Sequence, residues 1–206
     1  MANIVSVDYE AFPGQAKQMR ETGKQLNNEV IKAYTSIENM HGSWYGKRYN
    51  ELVKQFNNMI PQINEILDLV VGQIPFALET VANNYAQADR GSNVTSAVNE
   101  EPNKVVALNI PSDVGMKFLT GEVSNVQRSV SENFKNAKEQ MNNIASQYAK
   151  INWQSEASEA FKEKFNKLKA NIIASFESID TQFVQLMNQT QEDIESTENA
   201  NTVKHM

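Results

Sequence analysis

The chain of 206 residues has no cysteine and only two histidines, His41 and His205. The first absence excludes disulfide staples, thiolate metal sites and a cysteine nucleophile, and leaves the redox compartment open. The second removes the usual makings of a catalytic triad or a zinc site. Glycine (8) and proline (5) are scarce, so long stretches are free to be helical. No apolar run approaches the about 20 residues that cross a bilayer; the greasiest stretch, ILDLVVGQIPFAL (66–78), contains Asp68. The opening MANIVSVDYEAFPGQAKQM has no basic segment followed by an apolar one, so no secretory signal peptide is read there. Clustered positive charge is missing too. The formal net charge is -6 and the pI near 5.1, which argues against nucleic acid as a partner, because counterion release needs concentrated Lys and Arg. The lysines of FKEKFNKLKA (161–170) read as the wet side of a helix. Glu192, Asp193 and Glu195, with no histidine nearby, read as a charge run on a helix end and not as a metal site. No glycine-rich phosphate loop occurs.

What is present is amphipathic periodicity. Hydrophobic residues make up 40% and charged residues 21%, with a mean hydropathy of -0.52. That balance suits helices with a narrow buried stripe and a wide solvated face. Asp8 is expected to cap a first helix with Pro13 in its opening turn. Met19, Leu26, Val30, Tyr34, Ile37 and Met40 then recur at helical spacing. HGSWYG (41–46) interrupts the pattern. A second periodic run extends from Tyr49 to about Asp89, and its Pro61, Gly72 and Pro75 predict bends. DRGSNVTSAVNEEPNKVV (89–106) reads as a linker, and NIPSDVG (109–115) as a capped helix start. Val123, Val126, Val130, Phe134, Met141, Ile144 and Tyr148 trace a third helix. YAKINWQSEA (148–157) is a second interruption, and a fourth helix is expected from about Ser155 to Glu195. The polar tail STENANTVKHM (196–206) is expected to fray.

Counting from each tryptophan exposes a duplication. Offsets of 8, 12, 15, 19, 23, 26, 30 and 34 from Trp44 land on Leu52, Phe56, Met59, Ile63, Leu67, Val70, Ile74 and Leu78. The same offsets from Trp153 land on Phe161, Phe165, Leu168, Ile172, Phe176, Ile179, Phe183 and Met187. Steps of three and four keep each set on one side of a helix, and the shared phase relative to tryptophan marks two copies of one helix–turn–helix unit. A lone hairpin buries its stripes poorly, whereas two hairpins face to face form a four-helix bundle. The expectation is therefore an all-α chain, an elongated four-helix bundle acting as a single-chain pseudo-dimer. Its parts are a first hairpin (1–90), a linker (91–108) long enough for docking in either orientation, and a second hairpin (109–206).

Trp44-Tyr45-Gly46, set between two long helices in a half of about a hundred residues, resembles the WXG (ESAT-like) family of small helical hairpins exported by type VII secretion systems. Gly46 permits a positive φ at the turn. The Trp44 ring either seals the hairpin end or also offers its N–H to a partner. The second copy reads Trp153-Gln154-Ser155, with Ser155 where the family usually has glycine; serine remains a good N-cap. That difference makes the first turn the better candidate for partner contact. Tyr85 and Asp89 match the family's Tyr-x-x-x-acid export signal and share one helical face. The equivalent position in the second half is Ile194 with no such motif, as in a fused heterodimer carrying one signal.

The resemblance implies a protein without catalytic residues, cofactor or metal. It would be made in the cytoplasm, exported without a Sec signal peptide, and found outside the cell or at its surface. Its role would be that of secreted effector, co-secretion partner or carrier. Its partners would be the secretion ATPase, reading the tryptophan notch and the Tyr85–Asp89 helix end, and a co-secreted protein, with the chain a monomer or homodimer. Two alternatives are a membrane-active protein that inserts 66–78 amphipathically and an intracellular helical scaffold.

Overall fold

The computed structural model describes residues 7–201; His205 lies outside them. Five α-helices dominate: α1 (Phe12–Met40), α2 (Lys47–Leu67), α3 (Ile74–Arg90), α4 (Thr120–Ala149) and α5 (Glu156–Asn201). A π-helical segment, Asp68–Gln73, joins α2 to α3 without a break. Two short strands, β1 (Trp44–Tyr45) and β2 (Lys117–Phe118), pair antiparallel.

The helices stand as a four-helix bundle in which every neighbour is antiparallel. Along α1 and α4, Gln15 meets the Lys150 carbonyl, Thr22 meets Gln147 and Glu29 meets Asn136. Along α2 and α5, Arg48 pairs with Asp193 and Glu65 with Lys164. The stripes counted from sequence form the core. All eight first-copy positions are buried, and in the second copy Phe161 and Met187 are partly buried while the other six are buried. Phe134 ties the halves together by stacking on Phe176 at 4.2 Å and on Phe56 at 5.7 Å.

Several expected boundaries move. Asp8 does not cap α1: Ala11 holds the cap position, and Asp8 instead accepts the Ala11 N–H at its main-chain carbonyl, 3.3 Å away. Pro13 does lie in the first turn. Pro61 sits inside α2. Around Gly72 and Pro75, where a bend is expected, the helix widens to π geometry and continues. Pro75 cannot donate to the Val71 carbonyl four residues back, and Arg20 Nε reaches that carbonyl at 3.3 Å. NIPSDVG does not begin a helix: Asp113 lies 2.6 Å from His41 Nε2, and α4 starts only at Thr120, after β2. At the other end α5 continues to Asn201 because no breaker intervenes and Thr197 bonds the Asp193 carbonyl at 2.7 Å. Residues 196–201 are thus helical, not frayed.

The linker is the largest correction. With all neighbours antiparallel, the chain must return from the end of α3 to the opposite end of the bundle before α4 can begin. The helix from Lys47 to Arg90 rises about 66 Å, and the expected 18-residue linker, fully extended at about 3.3 Å per residue, reaches about 60 Å. The connection accordingly runs over 91–119 and is strapped to the first hairpin. Asn57 donates to the Leu108 carbonyl at 2.9 Å and accepts its N–H at 2.8 Å. Asn64 does the same for Val105 at 3.0 and 2.9 Å, and Asn83 for Thr95 at 3.0 and 3.1 Å. The Asn50 side chain meets the strap through one bond, to the Pro111 carbonyl at 3.0 Å, because Pro111 has no N–H to return. The registers match physically. Seven helical residues rise about 10.5 Å while three residues of polyproline-type chain advance about 9.3 Å, so Asn50, Asn57 and Asn64 meet strap residues 111, 108 and 105. Val105 and Leu108 turn inward and are buried.

Midway, Glu79 on α3 and Arg20 on α1 clasp the strap. Arg20 holds both Glu79 carboxylate oxygens and donates to the Val98 carbonyl at 2.5 Å, while the Val98 N–H donates to Glu79 at 3.0 Å. Beneath this clasp, a Cβ on Gly72 would lie 2.6 Å from Asn99 Oδ1 and 2.8 Å from the Glu100 carbonyl. Only glycine lets the strap pass that close to the helix.

Candidate functional site

The first turn is a sealed plug. Gly46 takes φ 124°, a conformation that side chains resist, and brings the chain from β1 into α2. Trp44 is 1% exposed. Its ring stacks on Phe183 at 6.0 Å and meets Phe118 and Tyr49 edge-on at 5.5 and 6.1 Å. Tyr49 donates to the Ile37 carbonyl at 3.0 Å, and burial pushes its phenol up to about 12. The lid comes from the strap: Trp44 pairs with Phe118 and Tyr45 with Lys117, and the Leu119 N–H donates to the Ser43 carbonyl at 2.9 Å. The burial of Trp44 fits the sealing role, and a cavity of about 280 Å³ lined by Trp44, Gly46, Met116 and Thr190 adjoins the turn. Sequence reasoning missed Phe118, since a two-residue strand has no periodic signal.

The second turn is open by comparison. Trp153 is half-buried, with Phe161 as its ring neighbour at 6.3 Å. Ser155 caps α5, its Oγ accepting the Ser158 N–H at 3.1 Å, which is how this turn is made without the family's glycine. Tyr148 donates to the Ser158 carbonyl at 2.7 Å and braces the turn from α4. A cavity of about 300 Å³ opens beside the indole, with Tyr148, Ile151, Trp153 and Phe165 in its wall.

Tyr85 and Asp89 lie at the end of α3, both exposed. The structure adds a residue that the sequence pattern did not single out. Tyr9, just ahead of α1, stacks parallel to Tyr85 at 6.3 Å and donates to Asp89 at 2.5 Å. That hydrogen bond, followed by desolvation and the Asp89 charge, raises the Tyr9 phenol above its ordinary range. Arg90 lies 5.9 Å over the Tyr9 ring and pairs with Glu10 at 3.2 Å. The chain's two ends of interest also sort themselves. Gln15 in the first turn of α1 reaches the Lys150 carbonyl just ahead of Trp153, so Tyr85, Asp89 and the second turn share one end of the bundle. Trp44 lies at the other, beside Ser43 and Glu122 at the start of α4.

Among the described residues, no group of His, Cys, Asp and Glu is arranged to hold a metal ion. Asp193 pairs with Arg48 at 2.5 Å, and Glu195 accepts from Gln191 at 2.9 Å. The 66–78 stretch gives Ile66, Leu67, Leu69, Val70, Val71, Ile74 and Leu78 to the core, and no helix among the described residues is long and apolar enough to cross a membrane.

Comparison with known proteins agrees with the geometry of the first hairpin. Residues 4–90 match the family model WXG100, proteins of 100 residues with WXG, a match that takes in α1, the Trp44 turn, α2 and α3. No curated protein and no solved structure matches the chain. The matched family is associated with small helical proteins, in general non-enzymatic, that type VII systems secrete without signal peptides. Through its first hairpin, residues 4–90, this chain is similar to the WXG100 family.

Proposed function

We propose that the chain is a non-catalytic cargo of a type VII secretion system, acting as a secreted effector or as the co-secretion partner or carrier of another protein. In this reading the secretion ATPase engages the end of the bundle where α3 finishes. The observation that carries it is the exposed Tyr85–Asp89 helix end, which lies at the same end as the half-buried Trp153 turn. Fusion of two hairpins supplies in one chain what a heterodimer would bring from two, with a single Tyr-x-x-x-Asp element. The Trp44 turn, sealed at the far end, then serves stability. Tyr9 orders the signal by stacking on Tyr85 and holding Asp89.

Secretion of the full chain from its producing cell tests the reading. Tyr85→Ala and Asp89→Ala are expected to abolish its appearance in the supernatant while the cytoplasmic protein stays folded and abundant. Unchanged secretion of both variants sinks it. Coincident loss of one other secreted protein would favour the carrier role over the effector role.

A further inference from the structure

The strap is held unevenly along its length. From 94 to 108 the grip is doubled. Asn83, Asn64 and Asn57 take both main-chain groups of Thr95, Val105 and Leu108, and the Arg20–Glu79 clasp takes both of Val98. Val105 and Leu108 are buried as well. From 109 to 117 no residue is buried, Pro111 alone is partly so, and Val114 is 97% exposed. Side chains hold this stretch by single bonds: Asn50 to the Pro111 carbonyl, His41 Nε2 with Asp113 at 2.6 Å, and Lys117 Nζ to the Gly42 carbonyl at 2.6 Å. It finishes at Phe118, whose partly buried ring meets the Trp44 indole at 5.5 Å, and at Leu119, whose N–H donates to the Ser43 carbonyl at 2.9 Å.

A segment with few buried apolar contacts and surface hydrogen bonds opens locally, at a lower free energy than the fold as a whole. The chain here is built to turn. Gly115 takes φ 97° with nothing within 4 Å of where a Cβ would stand, and glycine crosses between backbone conformations without steric cost. Where the stretch passes the turn it rests on Gly46, at which a Cβ would lie 3.4 Å from the Gly115 carbonyl oxygen and 3.5 Å from the Met116 Cβ. We propose that 109–119 is a flap, anchored at Leu108 and at the start of α4, that opens as a unit and gates access to Trp44. The strap from 94 to 108 and the bundle stay in place. Opening takes Phe118 from one edge of the indole and Met116 from the wall of the adjoining cavity, while Phe183 and Tyr49 keep their places on the ring. The first turn then gains the exposure that the second has without a cover. The gate works in the same way whether or not the chain is exported.

Two rates measured on the full chain read the gate: hydrogen exchange at the Leu119 amide, and oxidation of Trp44 by N-bromosuccinimide, followed by fluorescence in a Trp153→Phe background. Leu119 is expected to be about tenfold or more less protected than the Val105 and Leu108 amides. Asp113→Ala, a surface change, is expected to speed both Leu119 exchange and Trp44 oxidation about fivefold, the equivalent of one hydrogen bond. Val105, Leu108 and the urea midpoint should stay where they were. Tyr45 and Lys117 stand directly opposite each other across the β1–β2 bridge, within reach of a disulfide, and the chain has no cysteine to interfere. Closing Tyr45→Cys with Lys117→Cys by oxidation is expected to slow both rates, and reduction to restore them. Equal protection of Leu119, Val105 and Leu108 in the unmodified chain overturns the flap, since the strap then opens only as a whole. Oxidation of Trp44 that keeps its pace under the closed disulfide overturns the gate.

Discussion

At the first turn Trp44 is 1% exposed beneath Phe118, whereas at the second Trp153 is half-buried against Phe161. The outer grooves behind these turns differ in the same sense. The α1/α2–α3 groove is covered by the strap through Asn50, Asn57, Asn64 and Asn83. The α4/α5 groove is bridged by its own side chains, Gln127 and Ser131 to Asp180 and Lys138 to Glu177. The chain thus holds two hairpins, and the crossover between them is strapped to the first. The first copy carries the closed, load-sharing role; the second is left with its turn accessible.

The tryptophans break this comparison most sharply. Trp44→Ala removes a fully buried ring with three aromatic neighbours and is expected to cost about 3–5 kcal/mol in urea unfolding. Trp153→Ala is expected to cost about 1 kcal/mol, in line with partial burial. Equal losses would mean that the two turns share the work and that the contrast between them is wrong.

The clasp is next in size. Burial alone would raise the Glu79 carboxyl, but the Arg20 hydrogen bonds, the Val98 N–H and the Arg20 charge outweigh it and hold the group below its ordinary range. A depressed folded-state pKa contributes stability above the unfolded carboxylate pKa, and that contribution is lost as pH falls through the folded value. Stability should thus be flat near neutrality and decline below about pH 4.5, with the strap loosening first. Glu79→Gln is expected to cost about 2 kcal/mol at pH 7 and to flatten that acid limb. An acid limb unchanged in Glu79→Gln would assign it to other carboxylates.

Among the strap asparagines the effect should follow the count of hydrogen bonds. Asn57→Ala and Asn64→Ala each strip two bonds from one strap residue, and each is expected to cost about 1–2 kcal/mol. Asn50→Ala strips one, to a residue with no N–H, and is expected to cost about half as much. Hydrogen exchange at 104–109 reads this directly: protection of the Val105 and Leu108 amides should fall in the first two variants and survive in the third.

The repeat and the core were legible because burial in a helix leaves a periodic trace. Eight offsets counted from Trp44 and eight from Trp153 find the bundle interior without any knowledge of packing. The strap and the β1–β2 bridge were not legible in the same way. The Asn50, Asn57 and Asn64 contacts and the β1–β2 bridge join residues 41 to 74 apart in sequence, and the strap's hydrogen bonds come from polar side chains that composition marks as wet. One trace existed: Asn50, Asn57 and Asn64 repeat every seven residues on the flank of the apolar stripe, and a ladder of amides at constant phase is a main-chain holder. Tyr85 and Asp89 were visible as a motif, but Tyr9 was not, because nothing local joins a residue ahead of α1 to the end of α3. The greater exposure of the second turn was not legible for a related reason. The change from glycine to Ser155 weakens a pattern, but physically it exchanges a positive-φ turn for a capped one, and solvent access is set by what lies over the turn, which the tripeptide does not encode.

The smallest expected effect comes from the bridges of the second hairpin. Lys138 and Glu177 are largely exposed and meet at 2.9 Å across the α4/α5 groove. Exposed pairs lose in side-chain entropy and screening most of what they gain in attraction. Lys138→Ala is expected to change stability by less than about 0.5 kcal/mol, far below Asn57→Ala, and the difference should widen at high salt, where the ion pair fades and the amide bonds do not. If Lys138→Ala instead costs as much as loss of a strap asparagine, the α4/α5 groove is held as firmly as its counterpart, and the asymmetry lies in the turns alone.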